Sequence, residues 1–390
     1  MKNTIKIYEV TFRSIQRSVN VVFFLFLLAS LQLFAEESLS HDEPIVLQLK
    51  WKHQFQFAGY YAAQLKGFFK DEGLDVTILQ GGAETNVIKD VLSGKAQFGV
   101  GVPDILLEKM NGAPVVLLAS IFQHSPAIII SDENKNIETP SDLIGKKLAV
   151  VEKNGEAQIK AILLKEGIPL DSVKFLHHSG SFKELLSGEI DALEAYVTIA
   201  PYYLKQKGIT PSIIRPETYG VDFYGDLIFT SEDEVENNPK RVEAFRRASL
   251  KGWDYALKHT DEIINYILTF KDLDTIVTPR FLLNESAEIK KLIVPGFVEI
   301  GHTNNGRWQA IAETFKSLGM YKGDYSLKRF FYSPKLGVGE DWFKVGVISF
   351  GLILLLTIII SFWVYQLKRI VKKRTQELTS EIEQRERSEV

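Results

Sequence analysis

A two-lobed α/β fold with mainly parallel strands is predicted by three features of the sequence. Short apolar runs alternate with amphipathic helical stretches between about residues 43 and 340. One helix-to-strand corner occurs twice, as Val91-Leu92-Ser93-Gly94-Lys95-Ala96-Gln97-Phe98 and as Leu185-Leu186-Ser187-Gly188-Glu189-Ile190-Asp191-Ala192. In each, a helix closes at Ser-Gly, where glycine suits the left-handed residue past a helix end, and a short strand comes next. One corner per lobe is the economical reading, against the chance recurrence of a common turn. Finally, 390 residues with 45% hydrophobic and 24% charged content can bury a substantial core and resemble neither a disordered nor a fibrous chain.

Apolar runs at 45–49, 75–79, 98–100, 115–119, 127–130, 147–151, 173–176, 192–195 and 226–229 read as strands. Helical patterns fall near 59–72, 84–92, 156–166 and 182–186. A formal net charge of −3 supplies no field to steer a polyanion, which argues against nucleic acid as a partner. The absence of cysteine removes disulfides, thiolate metal sites and cysteine nucleophiles.

Residues 1–35 have the layout of a signal peptide or signal anchor: Lys2, Lys6, Arg13 and Arg17, then an apolar run over 21–31, then Ala35 before Glu36 and Glu37. The region beyond this segment is therefore expected outside the cytoplasm. A second run, 345–365, is almost unbroken apolar sequence and long enough for the hydrocarbon core as a helix. Trp342, Trp363 and Tyr365 sit where interfacial aromatics belong, and Lys368, Arg369, Lys372, Lys373 and Arg374 place the C-terminal residues in the cytoplasm. The expected organisation is a signal segment (1–35), a two-lobed module (43–340), a transmembrane helix (345–365) and a cytoplasmic helix (366–390). Lobe 1 takes about 43–135 and 215–340, lobe 2 about 136–214. Leu367, Val371, Leu378 and Ile382 keep a rough helical stripe between charges, which suits a signalling helix or a solvated juxtamembrane helix.

The stretch from Leu47 to Ala63, with Trp51-Lys52-His53-Gln54-Phe55-Gln56-Phe57-Ala58-Gly59-Tyr60-Tyr61, continues into Lys66-Gly67-Phe68-Phe69 and Gly73-Leu74-Asp75-Val76. It resembles the type II periplasmic substrate-binding proteins, in the branch that holds thiamine-pyrimidine-precursor binding proteins and fungal-type thiamine pyrimidine synthases. Ser93-Gly94-Lys95, Asp142-Leu143-Ile144-Gly145-Lys146-Lys147 and Asn238-Pro239-Lys240-Arg241-Val242 extend the likeness over most of the exported region. The resemblance implies two lobes on hinge strands, left near 132–139 and rejoined near 214–224, with a ligand in the cleft. In the synthases' frame, the pyridoxal-phosphate lysine falls on Gly101 and the consumed histidine near Ile105. Their phosphate loop falls on Glu152-Lys153-Asn154-Gly155 and their cysteine-rich run on Gly220-Val221-Asp222-Phe223-Tyr224. A Schiff base needs an amine and a thiolate iron site needs thiolates, so a binding module is favoured over a synthase. No cofactor and no metal are expected.

Open parallel sheets bind ligands beyond the carboxyl ends of their strands. Strand ends therefore nominate Trp51, Phe55, Tyr60, Gly101, Asp104, Gln123, Asn154, Glu194, Tyr196 and Asp222 as ligand-binding residues. Trp51 and Tyr60 offer flat faces, while Glu194 and Asp222 offer acceptors for ring amino groups. The adjacent His177 and His178 face opposite ways in a strand and are expected at the surface rather than on a shared metal. The partners this arrangement implies are a small-molecule ligand and the membrane. A sensor would add a cytoplasmic kinase or cyclase output module, with a dimer through the membrane and signalling helices; a tethered receptor would add an ABC permease.

Overall fold

The computed structural model describes residues 45–150, 156–178, 181–333 and 337–388; the signal segment and Asn154, with its neighbours in the phosphate-loop position, lie outside the described residues. The chain divides into two compact units, Met1–Tyr332 and Ser333–Val390.

The first unit carries two five-stranded sheets. One is built from β1 (Ile45–Gln48), β2 (Val76–Leu79), β3 (Phe98–Gly101), β4 (Val115–Ser120) and, late in the chain, β10 (Leu227–Ser231), in the order β2-β1-β3-β10-β4. The other holds β5 (Ala127–Asp132), β6 (Lys147–Val150), β7 (Lys174–His177), β8 (Ala192–Tyr196) and β9 (Pro211–Ile214), in the order β7-β6-β8-β5-β9. The two orders are the same pattern used twice. Both sheets are mixed rather than mainly parallel. β2-β1-β3 and β7-β6-β8 pair in parallel, whereas β10 and β5 run antiparallel to both of their neighbours. The reason is connectivity: β5 and β10 arrive directly from the other sheet, without the helical crossover that returns a strand to parallel.

This pairing also moves the crossing point. β5 belongs to the second sheet, so the chain leaves the first at residues 121–126, ahead of the expected 132–139. The repeated Ser-Gly corner occupies equivalent places in the two sheets. Gly94 and Gly188 take φ of 78° and 79°, and each corner leads to the third strand of its sheet, β3 and β8. The expected helix over 59–72 is two, Ala58–Leu65 and Phe68–Asp71, because Gly67 at φ 73° interrupts it. β9, an edge strand opening on Pro211, and the helices Pro239–Lys258, Thr260–Ile267, Pro279–Ile293 and Asn305–Ser317 were not read from the sequence.

β3 and β4 are buried along their whole lengths, as strands covered on both faces should be. The outer edge of β4 is closed by isolated bridges from Leu117 to Phe331 and from Ser120 to Gly301. The turn that carries Trp51 is held from behind by a very close helix crossing. A Cβ on Gly252 would lie 2.1 Å from the Gly59 carbonyl oxygen, and one on Gly59 would lie 2.2 Å from the Trp253 ring. Only glycine permits Ala58–Leu65 and Pro239–Lys258 to meet at backbone distance.

The second unit is one helix, Gly337–Ser388. Its stretch Ile348–Arg385 is long and apolar enough to cross a membrane, and the apolar residues expected at 345–365 fall within Gly337–Ser388.

Candidate ligand-binding site

The carboxyl ends of β1 and β8 face each other across the two sheets. Lys50, two residues past β1, pairs with Asp226 at 3.0 Å; Asp226 lies immediately before β10, and both side chains are almost fully buried. The Lys50 ammonium also donates to the hydroxyl of Tyr196, the last residue of β8, and lies 4.2 Å from the centre of that ring. Burial lowers the Lys50 pKa and raises that of Asp226, and the attraction between them opposes both shifts. Gln56 donates to the second Asp226 oxygen at 2.7 Å, and Gln54 donates to Gln56 at 2.6 Å. Behind this turn Glu285, fully buried on Pro279–Ile293, accepts the Phe55 amide at 2.8 Å through Oε2, while Oε1 has no hydrogen-bond partner among the described residues. Its burial pushes the carboxyl up to about 8.

Above the Lys50 cluster lies a cavity of about 410 Å³, within the range of small-molecule sites. Its walls come from the turn after β1 (Lys50, Trp51, Lys52, His53, Gln54, Gln56) and from the segment after β7 (His178, Ser181, Phe182, Lys183). β8 and the helix after it add Glu194, Ala195, Tyr196, Ile199 and Tyr203, and a distant loop adds Asp274, Thr275, Ile276 and Val277. Phe182 and Tyr203 stack with centres 4.4 Å apart, and the Trp51 ring is 6.5 Å from His178. The loop is tied to the Trp51 turn by Lys52 and Asp274 at 2.8 Å. The cavity thus combines flat apolar faces with a buried carboxylate, Glu194, and a lysine already committed to Asp226.

Of the residues nominated from strand ends, Trp51, Glu194 and Tyr196 line this cavity. Phe55 and Tyr60 do not: both are fully buried in the core, Tyr60 edge-to-face with Trp253 at 5.9 Å. Gly101 lines a separate cavity of about 210 Å³ beside Glu84 and His177, which are 3.1 Å apart. Asp104 accepts a hydrogen bond from the Ala157 amide at 3.3 Å. Gln123 donates to the carbonyls of Ser120 and His302 at 2.9 and 3.1 Å, which braces the first crossing segment. Asp222 pairs with His124 at 2.9 Å and Arg307 at 3.2 Å on the partly exposed second crossing. Asn154 lies outside the described residues.

His178 corrects an expectation. It is 7% exposed, not at the surface, and burial lowers its pKa to about 4, so it is neutral at neutral pH. Lys50, Gln56, Asp226, Phe182, Tyr203 and the 274–277 loop were not found from the sequence. A signal existed for Lys50, a lone charge between Leu49 and Trp51 at the end of a buried strand; Tyr203 and the loop carry none, because folding alone brings them to the cavity.

The residues do not fit pyridoxal phosphate. At Gly101 there is no amine, and even a Cβ would meet Phe229 at 3.1 Å and Leu227 at 3.2 Å. The cavity's buried amine, Lys50, is held in its ion pair.

Comparison with known proteins agrees with this geometry. The family described as NMT1/THI5 like matches residues 54–263, more than half of the chain. The chain is 28% identical over 236 residues to the formylaminopyrimidine-binding protein of Halalkalibacterium halodurans, covering 59% of this chain and 71% of that protein. It is 27% identical over 229 residues to a 4-amino-5-hydroxymethyl-2-methylpyrimidine phosphate synthase of Saccharomyces cerevisiae, covering 55% and 67%. The alkanesulfonate-binding protein of Xanthomonas axonopodis pv. citri superposes with a TM-score of 0.57 at 15% identity, over 74% of this chain and 98% of that one. That likeness shows the fold alone: two mixed sheets in the periplasmic-binding-protein arrangement. By its matched sequence, its paired sheets and the cleft between them, the chain belongs to the NMT1/THI5-like family.

Proposed function

We propose that the first unit binds a small nitrogen heterocycle in the cavity between its sheets and releases it unchanged. The observation that carries this reading is the meeting of Trp51, Glu194 and Tyr196, from opposite sheets, around a space of about 410 Å³. Aromatic walls suit a planar ring, and Glu194 supplies an acceptor for a ring amino group. The formylaminopyrimidine-binding relative supports a pyrimidine as the first ligand to try. Isothermal titration of the full chain in detergent with formylaminopyrimidine and related aminopyrimidines tests this. Binding is expected, with Trp51→Ala weakening it by about 1 kcal/mol or more and Glu194→Gln by about 1–3 kcal/mol. No binding by the parent, or parent-like binding by both variants, would sink the reading.

We further propose that the chain is a sensor held in the cytoplasmic membrane, its ligand-binding unit exported and its last residues cytoplasmic. The support is one helix, Gly337–Ser388, that carries an apolar stretch and then a basic cluster from Lys368 to Arg374. A receptor that only delivers ligand to an ABC permease needs no helix beyond its anchor. In the sensor, lobe closure on ligand biases this helix and, through it, a kinase or cyclase partner. Alkaline phosphatase fused near Gly337 is expected to be active and, fused after Arg374, inactive; the reverse pattern refutes the orientation.

A further inference from the structure

Among the large apolar side chains described, Phe297 is the most exposed, at 91%, although it belongs to the first unit and not to the apolar helix. It stands at the tip of a turn that the backbone forms under strain. Val294 ends the helix Pro279–Ile293 in the left-handed region, at φ 55° and ψ 46°, where a β-branched residue is a genuine outlier. The Val294 carbonyl accepts the amides of Phe297 and Val298, both at 3.3 Å; Pro295 bridges to Val298, and Gly296 takes φ 92°. The strained turn thus holds an aromatic ring in water, where the ring gains nothing from burial.

The base of the same loop lies beside the point where the chain leaves the unit. Gly301 bridges to Ser120 and Phe331 to Leu117, so both segments run along the outer edge of β4. The Leu117 amide donates to the Phe330 carbonyl at 2.7 Å, and the Tyr332 amide donates to the Leu117 carbonyl at 2.9 Å. Only residues 333–347 separate Tyr332 from Ile348, where the stretch long and apolar enough to cross a membrane begins. Behind the tip, the last turn of Pro279–Ile293 exposes Lys290 and Lys291, the latter 2.6 Å from Glu288. An exposed ring with lysines one turn behind it has the chemistry of a lipid contact: the ring enters the headgroup boundary while the ammonium groups stay among the phosphates. Glu299, also exposed, confines that entry to the tip.

We propose that the turn 294–298 seats the first unit on a lipid surface, with Phe297 in the headgroup boundary and Lys290 and Lys291 against anionic headgroups. This rests on the reading of Gly337–Ser388 as a membrane anchor. The same segment braces the first crossing between the sheets: the Leu292 carbonyl accepts the Gln123 and His124 amides at 2.8 and 3.2 Å, and the His302 carbonyl accepts the Gln123 side chain at 3.1 Å. The lobe of the first sheet is then the one held at the bilayer, and the lobe of the second sheet is the one that moves on ligand.

The chain has no cysteine, so one introduced cysteine is a unique label site. The test places the full chain in vesicles of phosphatidylcholine and phosphatidylglycerol, with bimane, an uncharged ring system, on Phe297→Cys and nitroxide-bearing lipids as quenchers. Quenching at Phe297→Cys is expected to be at least about twofold stronger than at Ile144→Cys, a side chain 54% exposed on the second lobe. Leaving out phosphatidylglycerol, or adding Lys290→Glu and Lys291→Glu, is expected to weaken it. Both label sites are exposed, so neither substitution disturbs the core. A third label, on Leu355→Cys, reads the anchor by itself through quenchers placed deep in the acyl chains. If Leu355→Cys is quenched and Phe297→Cys is quenched no more than Ile144→Cys, the proposal is overturned and the anchor stands. If Leu355→Cys is not quenched, the anchor reading fails and the proposal falls with it. A label at 297 shielded from water but not quenched by lipid would mean a protein occupant, which also overturns the proposal.

Discussion

Lys50→Met is expected to destabilise the first unit by about 3–5 kcal/mol, because removing one member of a buried ion pair leaves the other without its counter-charge. Asp226 is 1% exposed and, among the described residues, would keep only Gln56 as a side-chain donor, while the Tyr196 hydroxyl would lose the ammonium that it meets across the cleft. The double variant Lys50→Met/Asp226→Leu should recover most of the loss, since an apolar pair of similar volume avoids desolvating either charge. Denaturant unfolding of the full chain in detergent, followed by tryptophan fluorescence, measures both. Added salt should change little, because a pair this buried is poorly screened. A single variant within about 1 kcal/mol of the parent would show that the pair is not buried in solution.

The second large effect concerns pH. Glu285 has its carboxyl raised from 4.5 to about 8 by burial, with the Phe55 and Gln56 amides opposing the shift and the Asp226 charge adding to it. A group whose folded pKa lies above its unfolded value contributes stability that is complete below the unfolded pKa and is lost as pH rises through the folded one. Here the loss runs from about 4.5 to about 8. His178 acts in the opposite sense. Its folded pKa is lowered by burial from 6.5 to about 4, so its contribution is lost as pH falls through that window. Above pH 6.5 only Glu285 of the two remains in play. Between pH 6.5 and 8 the parent should therefore lose about 2 kcal/mol relative to Glu285→Gln, at about 1.4 kcal/mol per pH unit. Parallel stability curves for the two proteins would mean that Glu285 is already ionised when folded. Because Glu285 holds the backbone of the turn carrying Gln54 and Gln56, the same titration is expected to loosen one wall of the cavity.

Among the described residues, nine of the ten strands were legible as short apolar runs between turns: β3 and β4 are buried throughout and apolar for that reason, while the partly exposed β2 and β7 still carry enough apolar residues to stand out. β9 escaped because it opens on a proline and lies at an edge, where local composition resembles a loop. The Ser-Gly corner was legible for a backbone reason: a left-handed residue after a helix calls for glycine wherever the corner occurs. Trp51, Glu194 and Tyr196 were reachable by position, since strand ends face the cleft in this architecture. The same rule could not sort Trp51 from Phe55 and Tyr60. An aromatic side chain serves equally as wall or as core, and which it becomes depends on the helices Pro239–Lys258 and Pro279–Ile293 packed behind it, some two hundred residues on.

By itself, then, the sequence determined what local chemistry specifies: the α/β class, the duplicated corner, an apolar segment long enough for a membrane, and the strand ends from which a site could be built. Only the tertiary structure decided that β5 joins the second sheet, that Asp104 reaches the other lobe's helix, and that Lys50 meets Asp226 and Tyr196. Each of these is a pairing between residues more than fifty positions apart. Its free energy comes from burial and charge compensation created by the fold, and no window of neighbouring residues contains it.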